Sequence, residues 1–226
     1  MLHHQLVKSQ LCWRAFKSQN SVLKSYYQAL MPMLDKSAFD ASFMVLDLEM
    51  TGLNPSDDQI LSMGLVPIEK GQVILKQAEH KLLKIEGSVG QSATIHGILD
   101  AHLHQALPLH EVMDWFLSVT QGKVLVAHHA PLDLAFLQAA LSQEGFNKPK
   151  LMAVDTLALE RKRLLRQHET IKEGSLRLGA SRERYGLPVY AAHNALIDAL
   201  ACGELLLAQM ATMGGAKQLK VSDLFC

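Results

Sequence analysis

Between Phe43 and Pro55 an apolar run, Phe-Met-Val-Leu, passes into Asp47 and Glu49 and is closed at once by Thr51-Gly52-Leu53-Asn54-Pro55. Residues 43–48 read as a buried strand, ended by its turn-forming residues. Side chains on a strand alternate faces, so Asp47 and Glu49 point the same way. Two neighbouring carboxylates at a strand end repel each other and are costly to desolvate. A hard divalent cation removes that conflict, because it takes oxygen ligands and brings positive charge. Taken alone, the pair reads better as a solvated strand end with two acids. Two later groups of residues outweigh that reading.

The rest of the chain supplies a sheet for this strand. Residues 59–68 and 72–83 read as strands joined by the short Glu69-Lys70-Gly71 link of a hairpin. Residues 86–108 are irregular. A helix is expected over 109–120, a short apolar strand over 123–127, and a helix over 131–142 with Pro131 in its first turn. A fifth strand covers 151–156, and helical patterns fill 157–167, 175–185 and 194–213. Three closely linked strands followed by alternating helix and strand predict an α/β fold, a mixed five-stranded sheet flanked by helices. Residues 1–40 form an extension ahead of this unit. Leu2, Leu6, Cys12, Trp13, Phe16, Leu23, Tyr26, Tyr27 and Leu30 recur at helical spacing up to Pro32. One or two amphipathic helices packed on the main unit are expected, with a partner-binding helix as the alternative. The division is therefore 1–40, 41–213 and a tail, 214–226.

The 22 basic and 22 acidic residues balance, which argues against a surface coated in positive charge for duplex DNA. Cys12, Cys202 and Cys226 are odd in number and lack metal-ligand spacing, so a reducing, cytoplasmic location is expected. No apolar run is read as reaching transmembrane length, and no membrane partner is expected. The N-terminus lacks the apolar core and cleavage site of a signal peptide. No feature specifies an oligomer.

Two more acids complete the pattern. Asp133 follows the strand Leu-Val-Ala and falls in the first turn of an apolar helix, where a carboxylate also simply suits the helix dipole. Asp198 lies in Asn194-Ala195-Leu196-Ile197-Asp198-Ala199-Leu200, among apolar neighbours, and aspartate is rarely buried without a partner. His193 stands five residues earlier, too far round one helix to share its face. It is therefore expected on the loop just before the helix, free to reach what Asp198 holds.

Asp47-x-Glu49, His128 to Asp133, and His193-xxxx-Asp198, with the words DLEMTGLNP, IHGI, LVAHHAPLDLAFL and HNALIDAL, resemble the DnaQ-like 3′–5′ exonucleases. This is the DEDD family in its histidine subclass, with an RNase H-like fold, and the likeness covers about residues 41–210. The order and spacing together are far more specific than any single motif. The resemblance implies two Mg²⁺ or Mn²⁺ ions on Asp47, Glu49, Asp133 and Asp198, with His193 as general base. It implies single-stranded DNA or RNA 3′ ends as substrates and nucleoside 5′-monophosphates as products. It also places Met50, Thr51 and Leu53 beside the terminal nucleotide, Leu53 as a wedge and Thr51 toward the 3′-hydroxyl. His96 and His128 are expected to line the same cleft, by contact or by packing. Met50 stands where many members have Thr and matches the oligoribonuclease branch. His129 and Leu132 replace a common Asn and Phe.

The alternatives are a hydrolase of short RNAs or dinucleotides, a polymerase-held proofreading subunit, and a binding module without activity. Three features stand apart. Residues 160–172 are rich in Arg and Lys, a solvated helix face or a phosphate contact. Asp155 is expected to cap the next helix. The tail Val221-Ser222-Asp223-Leu224-Phe225 is a degenerate match to a sliding-clamp-binding peptide. The first expectation for it is that Leu224 and Phe225 tuck into the domain.

Overall fold

Helix α1 (Leu2–Lys17) turns Val7, Leu11 and Ala15 inward at four-residue spacing. Leu6, Trp13 and Phe16 from the same apolar pattern face solvent instead. Helix α2 (Ser21–Leu30) starts at Asn20, whose side-chain oxygen accepts the Val22 and Leu23 N–H groups at 2.9 and 3.1 Å. It buries Leu23, Tyr26, Tyr27 and Leu30, and a 3₁₀ turn at Met31–Asp35 carries Pro32. The computed structural model describes residues 2–225, with side chains from residue 5; the Leu2 side chain and Cys226 lie outside the described residues.

Strand β1 (Phe43–Met50) is the middle of the sheet, with Phe43, Val45 and Leu46 wholly buried. It pairs antiparallel with β2 (Ile60–Glu69), in a register that sets Asp47 opposite Gly64 and Glu49 opposite Ser62. The register shifts between Glu49 and Met50, just past the acidic pair. On the other edge of β2 lie β3 (Gln72–Val73) and β4 (Glu79–Leu82), both antiparallel to it. A short helix, α3 (Ala93–His96), and then α4 (Leu109–Thr120) precede β5 (Val124–Ala127), which pairs parallel with β1. Helix α5 (Ala130–Gln143) leads to β6 (Ala153–Asp155), parallel to β5. Helices α6 (Thr156–Leu164), α7 (Leu178–Glu183) and α8 (Ala195–Thr212) complete the unit.

The expected mixed sheet of five strand positions is present, flanked by helices. Residues 72–83 do not form one strand, however. A 3₁₀ turn at Leu75–Gln77 splits that position into β3 and β4. The segment is an edge with exposed Gln72, Lys76 and Gln77, so little holds it flat. The helices expected over 157–167 and 175–185 are shorter, because α6 ends at Leu164 and α7 spans only Leu178–Glu183. Residues 86–108 hold 3₁₀ turns and α3 rather than plain loop.

Helix α8 lies across β1 and β2, and two glycines permit it. A Cβ at Gly64 would collide with the Ala195 and Leu196 backbone, and one at Gly203 would press on Val45 at 3.3 Å. Glycine inside a strand marks such close approach. Contrary to expectation, α8 is long and apolar enough to span a membrane by length and composition. Half of it is buried here, as in a core helix, with Ala199, Leu205 and Leu206 fully covered.

The tail returns to the start of the sheet unit. Ala38 N–H donates to Leu219 O at 2.7 Å, Val221 N–H donates to Lys36 O at 3.1 Å, and Ser37 bridges with Lys220. Val221 and Leu224 are fully buried, and Phe225 packs against the same core as α1, α2 and the sheet.

Candidate active site

The four acids meet at the C-terminal end of β1. Asp47 and Glu49 leave the strand on one side, as alternation requires. Asp133 enters from the first turn of α5 and Asp198 from the first turn of α8. Oxygens of Asp47, Glu49 and Asp198 lie within 4.8 Å of one another. Asp133 is buried, 5% exposed, and its charge acts on Asp47. No Lys or Arg bridges to any of the four among the described residues.

Electrostatics reflect that missing charge. Burial, then Asp133, Asp198 and Glu49, push Asp47 well above the usual carboxylate range. Glu49 is pushed up to about 7, by burial and then Asp198. Asp133 is pushed up to about 8, by burial and then by Asp155 and Glu49, against the pull of the Asp133 and Leu48 backbone N–H groups. Burial also raises Asp198, opposed by two backbone donors. A set of close carboxylates with no cation of its own fits a divalent metal, which would supply that charge.

His193 precedes the helix on a loop, at φ 68°, exposed. Its N–H and that of Asn194 donate to Asp198 Oδ2 at 2.7 and 3.2 Å, while Asn194 Oδ1 caps α8 through Leu196 and Ile197. His96, on α3, lines the same cleft as His193. Its Nδ1 accepts the Ile98 N–H at 3.1 Å, and its shielded Nε2 has no hydrogen-bond partner among the described residues. Burial, then His193, lower its pKa.

His128 also lines the cleft, but protein groups use both its ring nitrogens. Nε2 lies 2.8 Å from Leu176 O, so it carries the proton, and Nδ1 takes the Thr156 hydroxyl at 2.8 Å. Burial lowers its pKa, in keeping with that neutral form. Thr51 is likewise engaged: its hydroxyl donates to Asp58 Oδ1 at 3.1 Å and accepts Gln59 N–H at 3.0 Å. Met50 is half-buried, whereas Leu53 stands 74% exposed at the cleft edge. His129 takes φ 75°, which accounts for the Asn usual there, and its N–H donates to Asp155 Oδ1 at 3.1 Å. Asp155 also caps α6 through Leu157 and Ala158.

Over these groups opens a cleft of about 1830 Å³. Leu53, Ile95, Arg161, Leu165, Lys172 and Arg177 are among the residues that line it. The sequence marked residues 160–172 as basic but gave no sign of Arg177, which lines the cleft from the N-cap of α7.

The profile of the RNase T exonuclease family matches residues 44–206, a span that holds all four acids and His193. The chain belongs to that family. Its DnaQ-like exonuclease unit is 33% identical over 175 residues to the PolC-type DNA polymerase III of Thermotoga maritima, covering 76% of this chain and 12% of that one. The PolC-type enzyme of Halalkalibacterium halodurans is 29% identical over 182 residues, with 80% and 12% covered. The chain thus spans about an eighth of the length of the curated relatives it matches. Among solved structures, cell-death related nuclease 4 has a TM-score of 0.66 at 18% identity, covering 80% of this chain and 66% of that one. The Escherichia coli exonuclease I–single-stranded DNA complex has 0.66 at 15%, with 77% and 41% covered. Exonuclease X with 5′-overhanging duplex DNA has 0.58 at 20%, with 80% and 98% covered. These likenesses confirm the RNase H-like exonuclease fold.

Proposed function

We propose that this chain is a metal-dependent 3′–5′ exonuclease of the histidine DEDD subclass, releasing nucleoside 5′-monophosphates from single-stranded 3′ ends, DNA before RNA. The observation that carries it is the convergence of four uncompensated carboxylates under an open cleft, with His193 tethered to Asp198 beside them. Two ions, Mg²⁺ or Mn²⁺, held by Asp47, Glu49, Asp133 and Asp198, would polarise the scissile phosphate and acidify the attacking water. His193 takes the proton of that water; a neutral imidazole suits a general base near neutral pH. Leu53, exposed at the rim, wedges the terminal base, with Met50 beneath it. Arg161, Lys172 and Arg177 meet strand phosphates, so affinity falls as salt rises. His96 lines the cleft beside the bound end. His128 holds the wall that carries Leu176, and Thr51 stiffens the loop that carries Leu53.

The openness of the cleft favours strands over dinucleotides, and the exonuclease I neighbour was solved with single-stranded DNA. A second reading, proofreading beside a polymerase, draws on the identity to PolC-type polymerases. Residues 41–213 would be the catalytic unit, braced by 1–40 and 214–226, and the free Cys12 and Cys202 suit a reducing cytoplasm. A sliding-clamp contact through Leu224 and Phe225 would need the tail to leave its seat.

A time course with Mn²⁺ on 5′-labelled DNA and RNA, from long strands to dinucleotides, tests the assignment. Ladders shortening from the 3′ end are expected. Turnover confined to the shortest RNAs would replace it with the oligoribonuclease reading, and no cleavage of any strand would reject it.

A further inference from the structure

The loop that presents His193 has few ties to the fold. From Gly186 to Asn194 it has no regular structure, Val189 is 93% exposed, and Ala191 and Ala192 are exposed as well. Leu187 N–H donates to Arg182 O at 3.2 Å where the loop begins. At its far end His193 and Asn194 N–H groups hold Asp198. Between these ends, two groups of the loop are held, the Pro188 carbonyl and the Tyr190 side chain, and one arrangement holds both.

That arrangement centres on Arg182 of α7, only 3% exposed. Its Nη2 donates to Pro188 O at 2.9 Å and to Glu204 Oε2 at 2.7 Å, and its Nη1 donates to Ala201 O. The guanidinium carbon lies 4.7 Å from the Tyr190 ring centroid, and the Tyr190 hydroxyl donates to Glu204 Oε1 at 3.0 Å. The planar guanidinium fork thus spans a loop carbonyl, a helix carbonyl and a carboxylate at once. A lysine ammonium, a compact point donor, does not reproduce that span. Glu204, Ala201 and Asp198 all belong to α8, so the loop is referred at both ends to the helix that carries the last acid.

We propose that Arg182, with Glu204 and Tyr190, is a positioning device for the hydrolytic step. It fixes the 186–194 loop so that His193 stands over the carboxylate cluster. Among the described residues Arg182 neither hydrogen-bonds to the four acids nor lines the cleft, though Asp198 feels its charge, which Arg182→Lys retains. The inference rests on His193 being the general base, and the test separates the two.

Arg182→Lys and Tyr190→Phe are made in the full chain, each in the native and in the His193→Ala background. Turnover of the p-nitrophenyl ester of thymidine 5′-monophosphate is followed with Mn²⁺, together with Mn²⁺ binding and thermal unfolding. Arg182→Lys is expected to lower kcat by roughly 10–100-fold, the scale of a misplaced catalytic group, with KM and Mn²⁺ affinity held. Tyr190→Phe, which removes one hydroxyl and leaves the guanidinium in place, gives a smaller loss and serves if Arg182→Lys does not fold. Neither substitution should slow the His193→Ala enzyme further, because the group being positioned is gone. Equal losses in both backgrounds, or unchanged kcat in a folded variant, would overturn the proposal. If His193→Ala itself turns over at the native rate, the general-base reading fails instead.

Discussion

His193→Ala should slow cleavage by roughly 10²–10⁴-fold, the range for a lost general base, while calorimetry finds Mn²⁺ binding retained. Asp198→Ala should abolish cleavage in the same assay, since on the proposed function it removes a metal ligand, and it also removes the acceptor of the His193 and Asn194 N–H groups. Turnover by His193→Ala at the native rate would take histidine out of the chemistry. The placement of these side chains was legible: strand alternation put Asp47 and Glu49 on one side, and the five-residue gap put His193 off the helix, because both follow from local geometry. Nothing in the sequence marked Arg182, because Pro188, Tyr190 and Glu204 meet it only in three dimensions.

At the scale of elements, strands with a buried face were read correctly and exposed edges were not. β5 announces itself by an unbroken apolar run and β1 by the run Phe43–Leu46, whereas residues 72–83 were expected as one strand although the edge bends at Leu75–Gln77. The bounds of α6 and α7 were likewise set too wide, since both helices stop short of the spans expected for them. The approach of α8 to the sheet rests on two glycines, of which Gly64 meets the α8 backbone itself. Gly64→Ala should force these elements apart, at a cost of about 1–3 kcal/mol typical of overpacking, seen as a lower urea midpoint. It should also lower kcat, because Asp198 rides on the displaced turn. Full activity in Gly64→Ala would show that the site tolerates a shift of α8.

For the molecule as a whole, charge and packing make separate predictions. Glu49 at about 7 and Asp133 at about 8 stand above their unfolded values, burial being the first cause. Raised carboxylates contribute most to stability below the unfolded pKa, about 4, and that contribution is lost as pH climbs through the folded values. Metal-free protein should therefore lose stability from these groups between about pH 4 and 8. Mn²⁺ supplies the missing charge, so its increment in melting temperature should be larger at about pH 8 than at about pH 6. Equal increments would show that the cluster does not hold its protons. The tail is a packing matter: Leu224→Ala removes a fully buried side chain and should cost about 2–5 kcal/mol in urea unfolding, with KM unchanged.

The pairing of residues 36–38 with 219–221 means that the polypeptide comes into the catalytic unit and goes out of it at adjoining points. Backbones bridged in this way lie about 4.5–5.5 Å apart, a gap that an ordinary surface hairpin spans. Residues 38–219 therefore begin and end side by side, the geometry that an insertion into a host loop would require. The two helices before the junction and the last turn after it would then give way to whatever surface the host presents to the core that Tyr26 and Leu30 now help to bury.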